Sequence, residues 1–234
     1  MPRNVLVTGA NRGIGLEFCR QLLAAGDHVI ATCRQPGKAT ALNTLAGEYP
    51  GRLHVLPLDV AQPKSRAELV RELPLVLGDD ARIDLLVNNA GVLHSGERFG
   101  HLDQAVLEDS LRINAIGPFL LSEAVAPLLA EGARIANLSS VMGSITRQGA
   151  FRSPSYGASK AAQNLLNAQL AHALAARDIR VLSLHPGWVQ TDMGGTGAEV
   201  TPAASVAGLL QVIDAATPAQ SGSFLDWRGQ SVPW

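Results

Sequence analysis

Short, continuously apolar runs alternate with longer stretches of helical periodicity from one end of the chain to the other. The runs Asn4–Thr8, His28–Cys33, Leu53–Leu58, Ile83–Asn88, Arg134–Leu138, Arg180–His185 and, more weakly, Gly222–Asp226 predict β-strands. Most lack polar alternation, the pattern of parallel strands covered on both faces. Between them, Gly13–Ala25, Lys64–Leu77, Leu102–Leu129, Tyr156–Ala176 and Ala203–Ala216 read as helices. Gly26, Pro63, Gly78, Gly132 and Pro186 punctuate the junctions. Repeated βα units predict an α/β fold, a doubly wound parallel sheet of about seven strands with helices on both faces. No repeat, low-complexity tract or linker interrupts the pattern, so residues 1–234 are expected to form a single domain.

Composition narrows the function classes. Hydrophobic residues make up 47% and charged residues 17%, which excludes a disordered chain. A net charge of −1 with no basic run makes nucleic acid and anionic membranes poor partners. The two cysteines, Cys19 and Cys33, form neither a CxxC nor a disulfide framework and read as small buried hydrophobes. The strand pattern begins by Asn4, with no signal segment before it, and no apolar run would span a bilayer. A cytoplasmic location is the expectation. The six histidines show no metal-ligand spacing.

Three local patterns carry chemistry. The first is the initial βα turn, Thr8-Gly9-Ala10-Asn11-Arg12-Gly13-Ile14-Gly15. Glycines there let the backbone approach a pyrophosphate, and the following helix presents free N–H groups and the positive end of its dipole. The spacing G-x-x-x-G-x-G departs from G-x-G-x-x-G, but its place in the first βα unit supports a Rossmann-type dinucleotide site. The second is the end of the second strand, where an acidic residue would hold a ribose 2′-hydroxyl and a basic one a 2′-phosphate. The chain has Arg34 there and no acid, and Arg12 is placed to reach the same phosphate, so NADP(H) is preferred over NAD(H). The third is Tyr156 and Lys160, four residues apart on one helix face. A phenol beside an ammonium is expected to have a lowered pKa and to act as a proton donor.

Together these motifs resemble the short-chain dehydrogenase/reductase family over nearly the whole chain. In order they are the turn at 8–15, Asp59-Val60, Asn88-Asn89-Ala90-Gly91, Asn114, Ser140, Tyr156/Lys160 and Pro186-Gly187-Trp188-Val189-Gln190-Thr191. HPGWVQTDMGG and the closing GSFLDWRGQSVPW are more narrowly similar to the C-factor and sniffer-type carbonyl reductase branch. The resemblance implies hydride transfer between nicotinamide and a carbonyl or alcohol. In it Tyr156 is the general acid/base, and Lys160 lowers the tyrosine pKa and holds the nicotinamide ribose. Ser140 polarises the carbonyl, and Asn114 holds a water that links Lys160 to solvent. It further implies cofactor contacts from Gly9, Asn11, Arg12, Gly13, Ile14, Gly15 and Arg34. Asp59 would meet the adenine amino group beside Val60, with Asn88, Ala90 and Gly91 at the fourth strand end. Pro186, Gly187, Val189 and Thr191 would surround the nicotinamide.

Ser140 fits the serine's place after the fifth strand, with Ser144 the alternative. Its separation from Tyr156 is longer than usual for the family, which predicts an extended loop over Thr146–Ser155. Residues 188–200 should cover the site, with Gly194-Gly195-Thr196-Gly197 as a lid hinge. Met142, Phe151, Trp188 and Met193 are candidate apolar pocket walls, suited to a hydrophobic aldehyde, ketone or quinone. The resemblance also implies a possible homodimer or homotetramer. Two alternatives stay open: a cofactor-binding signalling or regulatory protein of C-factor type, and a 3-oxoacyl-carrier-protein reductase, which the lack of a basic cluster weakens.

Overall fold

The computed structural model describes residues 2–78 and 82–234. Its centre is a seven-stranded parallel sheet of β1 (Asn4–Thr8), β2 (His28–Cys33), β3 (Leu53–Pro57), β4 (Ile83–Asn88), β5 (Leu129–Leu138), β6 (Arg180–His185) and β7 (Phe224–Asp226). The helices are α1 (Gly13–Ala24), α2 (Thr40–Glu48), α3 (Pro63–Leu77), α4 (Gln104–Leu111), α5 (Gly117–Val125), α6 (Pro154–Leu174) and α7 (Pro202–Ala215). No helix among the described residues is long and apolar enough to cross a membrane.

Alternate side chains of each strand enter opposite layers, as strand geometry demands. Val5, Val7, Val29 and Ala31 pack with Phe18 and Leu22 of α1, Leu42 of α2 and Leu209 of α7. Leu6, Ile30, Leu86 and Ile135 pack with Leu69 of α3, Leu121 of α5 and Leu170 of α6. This two-sided burial explains why the strands read as unbroken apolar runs.

The strand order is β3-β2-β1-β4-β5-β6-β7. Strands β2 and β3 are added on one side of β1 and β4 to β7 on the other, so the strand order switches between β1 and β4. Ligands of open α/β sheets bind outside the strand ends at such a point.

Three elements differ from the sequence expectation. The helix expected over Leu102–Leu129 is divided: α4 ends at Leu111, a wider π turn occupies Arg112–Ile116, and α5 follows. Pro118 has no N–H to give the Asn114 carbonyl, its partner in an α-helix, so a regular ladder is impossible there. Strand β5 starts at Leu129 rather than Arg134, because its pairing with β4 is interrupted by an irregularity that includes Gly132 at φ +72°. Helix α2 was not anticipated; only Leu42 and Leu45 of its nine residues are buried, too few to mark a helical face.

Candidate active site

The glycine-rich turn lies between β1 and α1 at the switch point. Gly9 (φ +63°) and Gly13 (φ +54°) adopt backbone angles that other residues avoid. A side chain on Gly9 would strike Ala90, and one on Gly15 would strike the Gly9 carbonyl and the Asn89 amide. Asn89 Nδ2 donates to the carbonyls of Thr8 (2.9 Å) and Gly9 (3.1 Å), while Thr8 Oγ1 accepts the Asn89 and Ala90 N–H groups, each at 3.0 Å. The end of β4 therefore fixes the phosphate-type turn. Asn89 lies within the Asn88–Gly91 motif, where nothing in the local sequence sets it apart from Asn88. Its neighbour Asn88 is instead turned into the protein, donating to Ser122 Oγ (3.0 Å) and Asn137 Oδ1 (2.8 Å). Asn11 is exposed at the turn, and Ile14 packs on the core.

The two arginines behave differently. Arg34 is exposed just beyond β2, with no hydrogen bond or ion pair among the described residues. The Arg12 guanidinium is instead 2.7 Å from Asp192 Oδ2, so the expected two-arginine clamp is not assembled in this conformation. Asp59 Oδ1 accepts the Ala61 N–H at 3.0 Å, forming the turn that leads into α3. Val60 is buried, with its carbonyl against Gly117.

Ser140, Tyr156, Lys160 and Asn114 gather where β4, β5 and α6 meet. Tyr156 is buried, and the Ser140 side chain lies near enough to its phenol to favour the phenolate. Ser140 Oγ accepts the Met142 N–H at 3.2 Å. Ser139 turns away to Asn164 (2.7 Å), and buried Ser144 reaches Thr146 (3.3 Å), so Ser140 rather than Ser144 meets the tyrosine. The Lys160 ammonium lies 5.7 Å from the Tyr156 ring centroid. Asn114 is wholly buried beside it in the π turn: its Oδ1 accepts Val92 N–H, and its Nδ2 donates to Val92 O, both at 2.8 Å, and to Ser159 Oγ at 3.0 Å. Both ends of that side chain are thus engaged, and Pro118 has no N–H to offer the Asn114 backbone carbonyl.

The expected lowering of the tyrosine pKa is not found in this structure. Burial pushes the phenol up to about 12, opposed by the nearby Ser140 side chain. Burial also pushes Lys160 down to about 7, and its ammonium donates to the Leu138 carbonyl (2.7 Å) and Gln163 Oε1 (3.0 Å). The start of α6 is unusual as well. Its N-cap, Ser153, is left-handed at φ +41°, and the carboxylate of Glu97 accepts the Ser155 N–H at 3.3 and 3.4 Å.

The covering segment folds down on the turn. Thr191 packs against Gly13, Pro186 O accepts Ser205 Oγ (2.6 Å), Gly187 (φ +86°) backs onto Trp227, and buried Val189 bridges to Val200. Trp188 Nε1 donates to the Gly194 carbonyl (2.7 Å) with its ring against Gly197, so this half-exposed tryptophan ties the 188–197 segment together. Gly194 is packed against the Val189 carbonyl, which makes close approach, not hinging, the reason for glycine there. Phe151 is exposed and meets Phe99 edge to face, with centroids 5.8 Å apart. Met193 is exposed and Met142 half-buried.

His185 ends β6, and burial pushes its pKa down to about 4. The folded protein thus prefers the neutral ring, and stability should fall as pH drops from 6.5 through 4, by at most about 3 kcal/mol. Urea midpoints across that range check this, and His185→Phe should flatten the dependence.

Comparison with known proteins agrees with the geometry. The family description "short chain dehydrogenase" matches residues 3–200. The C-signal of Myxococcus xanthus is 40% identical over 154 residues, 65% of this chain and 93% of that protein. The NADPH-bound carbonyl reductase from chicken fatty liver superposes with a TM-score of 0.94 at 38% identity, covering 100% of this chain and 99% of that one. The carbonyl reductase Sniffer of D. melanogaster gives 0.95 at 31% identity, with both chains fully covered.

Proposed function

The chain belongs to the short-chain dehydrogenase family, and within it we propose an NADP(H)-dependent carbonyl reductase for hydrophobic aldehydes, ketones or quinones. The observation that carries this reading is the gathering of Ser140, Tyr156 and Lys160, next to a glycine turn with no room for a side chain at Gly9 or Gly15. Such a cradle fits a pyrophosphate, and exposed Arg34 fits a 2′-phosphate.

When bound, the nicotinamide cofactor supplies the hydride. Ser140 donates to the carbonyl oxygen as negative charge develops there. Tyr156 gives that oxygen its proton, and burial keeps the phenol protonated at neutral pH, ready for the reductive direction. Lys160 holds the ribose hydroxyls. The Asn114 carbonyl holds the water through which the proton is replaced. Apolar Met142, Phe151 and Met193 border the approach, and Trp188 keeps the lid in place.

Incubating the protein with NADPH and a panel of carbonyl compounds tests the reading, and oxidation of NADPH with at least one apolar member is expected. The likeness to C-signal favours a second reading, a signalling protein that uses the same cofactor site. NADPH binding without oxidation across the panel, indifferent to Tyr156→Phe, would favour that alternative. Arg34→Ala should raise KM for NADPH about tenfold, the scale of a lost charge-assisted phosphate contact, and leave KM for NADH unchanged. Equal loss with both cofactors would count against the 2′-phosphate assignment.

A further inference from the structure

Helix α6 carries a buried polar seam in an otherwise Ala- and Leu-rich stretch: Lys160, Gln163, Asn164 and Asn167, all 4% exposed or less. Two members pair with neighbouring strands or their ends, Asn164 with Ser139 (2.7 Å) and Asn167 with Ser183 (2.9 Å). Gln163 differs, because its Oε1 accepts from the Lys160 ammonium at 3.0 Å. An ammonium has three N–H donors, and here the Leu138 carbonyl takes another at 2.7 Å. The third has no acceptor among the described residues, and Gly91, where a Cβ would lie 3.9 Å from Nζ, supplies no side chain beside it.

We propose that Gln163 is the positioning residue of Lys160, using its side-chain carbonyl to orient the ammonium so that the remaining N–H serves the cofactor ribose. The inference rests on the reading of Lys160 as the ribose-holding cation. The geometry gives Gln163 unusual leverage, because no carboxylate accepts from this lysine among the described residues. The groups facing it are the Tyr156 phenol ring on its own helix, the Leu138 carbonyl of β5, Asn114 of the π turn, Gly91 after β4 and the 3₁₀ turn Val141–Gly143. Tyr156 is the one titratable side chain among these. Burial already brings the ammonium down to about 7, so an acceptor that favours the charged form decides whether it is charged near neutrality.

The test is NADPH binding followed by cofactor fluorescence across pH, on the whole protein and its variants K160M, Q163L and Q163E. Binding by the parent should weaken as pH rises through the Lys160 titration. Q163L removes the acceptor, so binding at neutral pH should weaken about tenfold and the midpoint should move down by about one pH unit. Q163E keeps an acceptor and adds charge, so tight binding should return with the midpoint moved up. The titration of the cofactor's own phosphate is common to all variants and cancels in the comparison. A merely structural Gln163 would change melting without moving the midpoint. If Q163L fails to fold, the near-isosteric Q163M makes the same measurement. Weakened binding by K160M alongside a parental midpoint in Q163L overturns the proposal while leaving the lysine reading intact. Parental binding by K160M overturns the lysine reading itself, and the role of Gln163 with it.

Discussion

Replacing Tyr156 by Phe is expected to leave the protein folded and able to bind NADPH while slowing carbonyl reduction about a hundred- to ten-thousandfold, the range of a lost general acid. The ring is buried with its phenol near Ser140. Removing the phenol oxygen leaves the packing intact and should cost at most about 1 kcal/mol of stability, the scale of a single polar contact. The loss should therefore appear in turnover rather than in cofactor affinity or melting temperature. The direction of pH dependence follows from the same residue. Reduction uses the protonated phenol, which burial favours, whereas alcohol oxidation uses the phenolate and should accelerate as pH rises. Initial rates in both directions, followed through NADPH absorbance, check both parts. Turnover within a few-fold of the parent would remove Tyr156 from proton transfer.

Gly15→Ala should strongly damage the glycine-rich turn. The new carbon would overlap the Gly9 carbonyl and come within 2.5 Å of the Asn89 amide nitrogen. One of these is backbone, and the other makes the two hydrogen bonds that hold the turn to β4. Relief therefore requires opening the phosphate cradle. Overpacking of this kind costs about 1–3 kcal/mol, and NADPH affinity should drop at least about tenfold as the turn loses its shape. Gly47→Ala is the matched comparison. Gly47 lies in α2 with nothing within 4 Å and an ordinary backbone conformation, so alanine there should add about 0.5–1 kcal/mol of stability without touching cofactor binding. Thermal melts and NADPH titrations of the two variants together separate a packed cradle from a general intolerance of methyl groups.

The strands were legible because burial on both faces writes itself as consecutive apolar residues, and Asn4–Thr8, His28–Cys33, Ile83–Asn88 and Arg180–His185 are found as expected. Tyr156, Lys160 and Ser140 were legible through their order and the helical spacing of the first two, and the fold brings them together. The π turn at 112–116 was not, since one extra residue in a helical turn leaves an apolar pattern almost unchanged. Its trace was Pro118, four residues beyond Asn114. Asn88 and Asn89 exchanged importance because neighbouring side chains at a strand end point in opposite directions, and composition carries no sign of which faces the glycine turn. Arg12 paired with Asp192 across 180 positions of sequence, a partnership that local reading cannot anticipate. Gln163 left a readable mark, polar residues at 160, 163, 164 and 167. At helical spacing that mark is a face, but an exposed face gives the same signature as a buried one.

The polar seam of α6 also bears on how far this chain tolerates sequence drift. Apolar contacts between a helix and a sheet are forgiving, since a helix can slide a fraction of an ångström as core residues exchange size. Hydrogen bonds from Asn164 and Asn167 to Ser139 and Ser183 permit no such slippage, because their strength collapses with small changes in distance and angle. They index the helix against β5 and β6 like teeth on a rack. Substitutions elsewhere in the core can then accumulate over evolutionary time while Tyr156 and Lys160 keep their station.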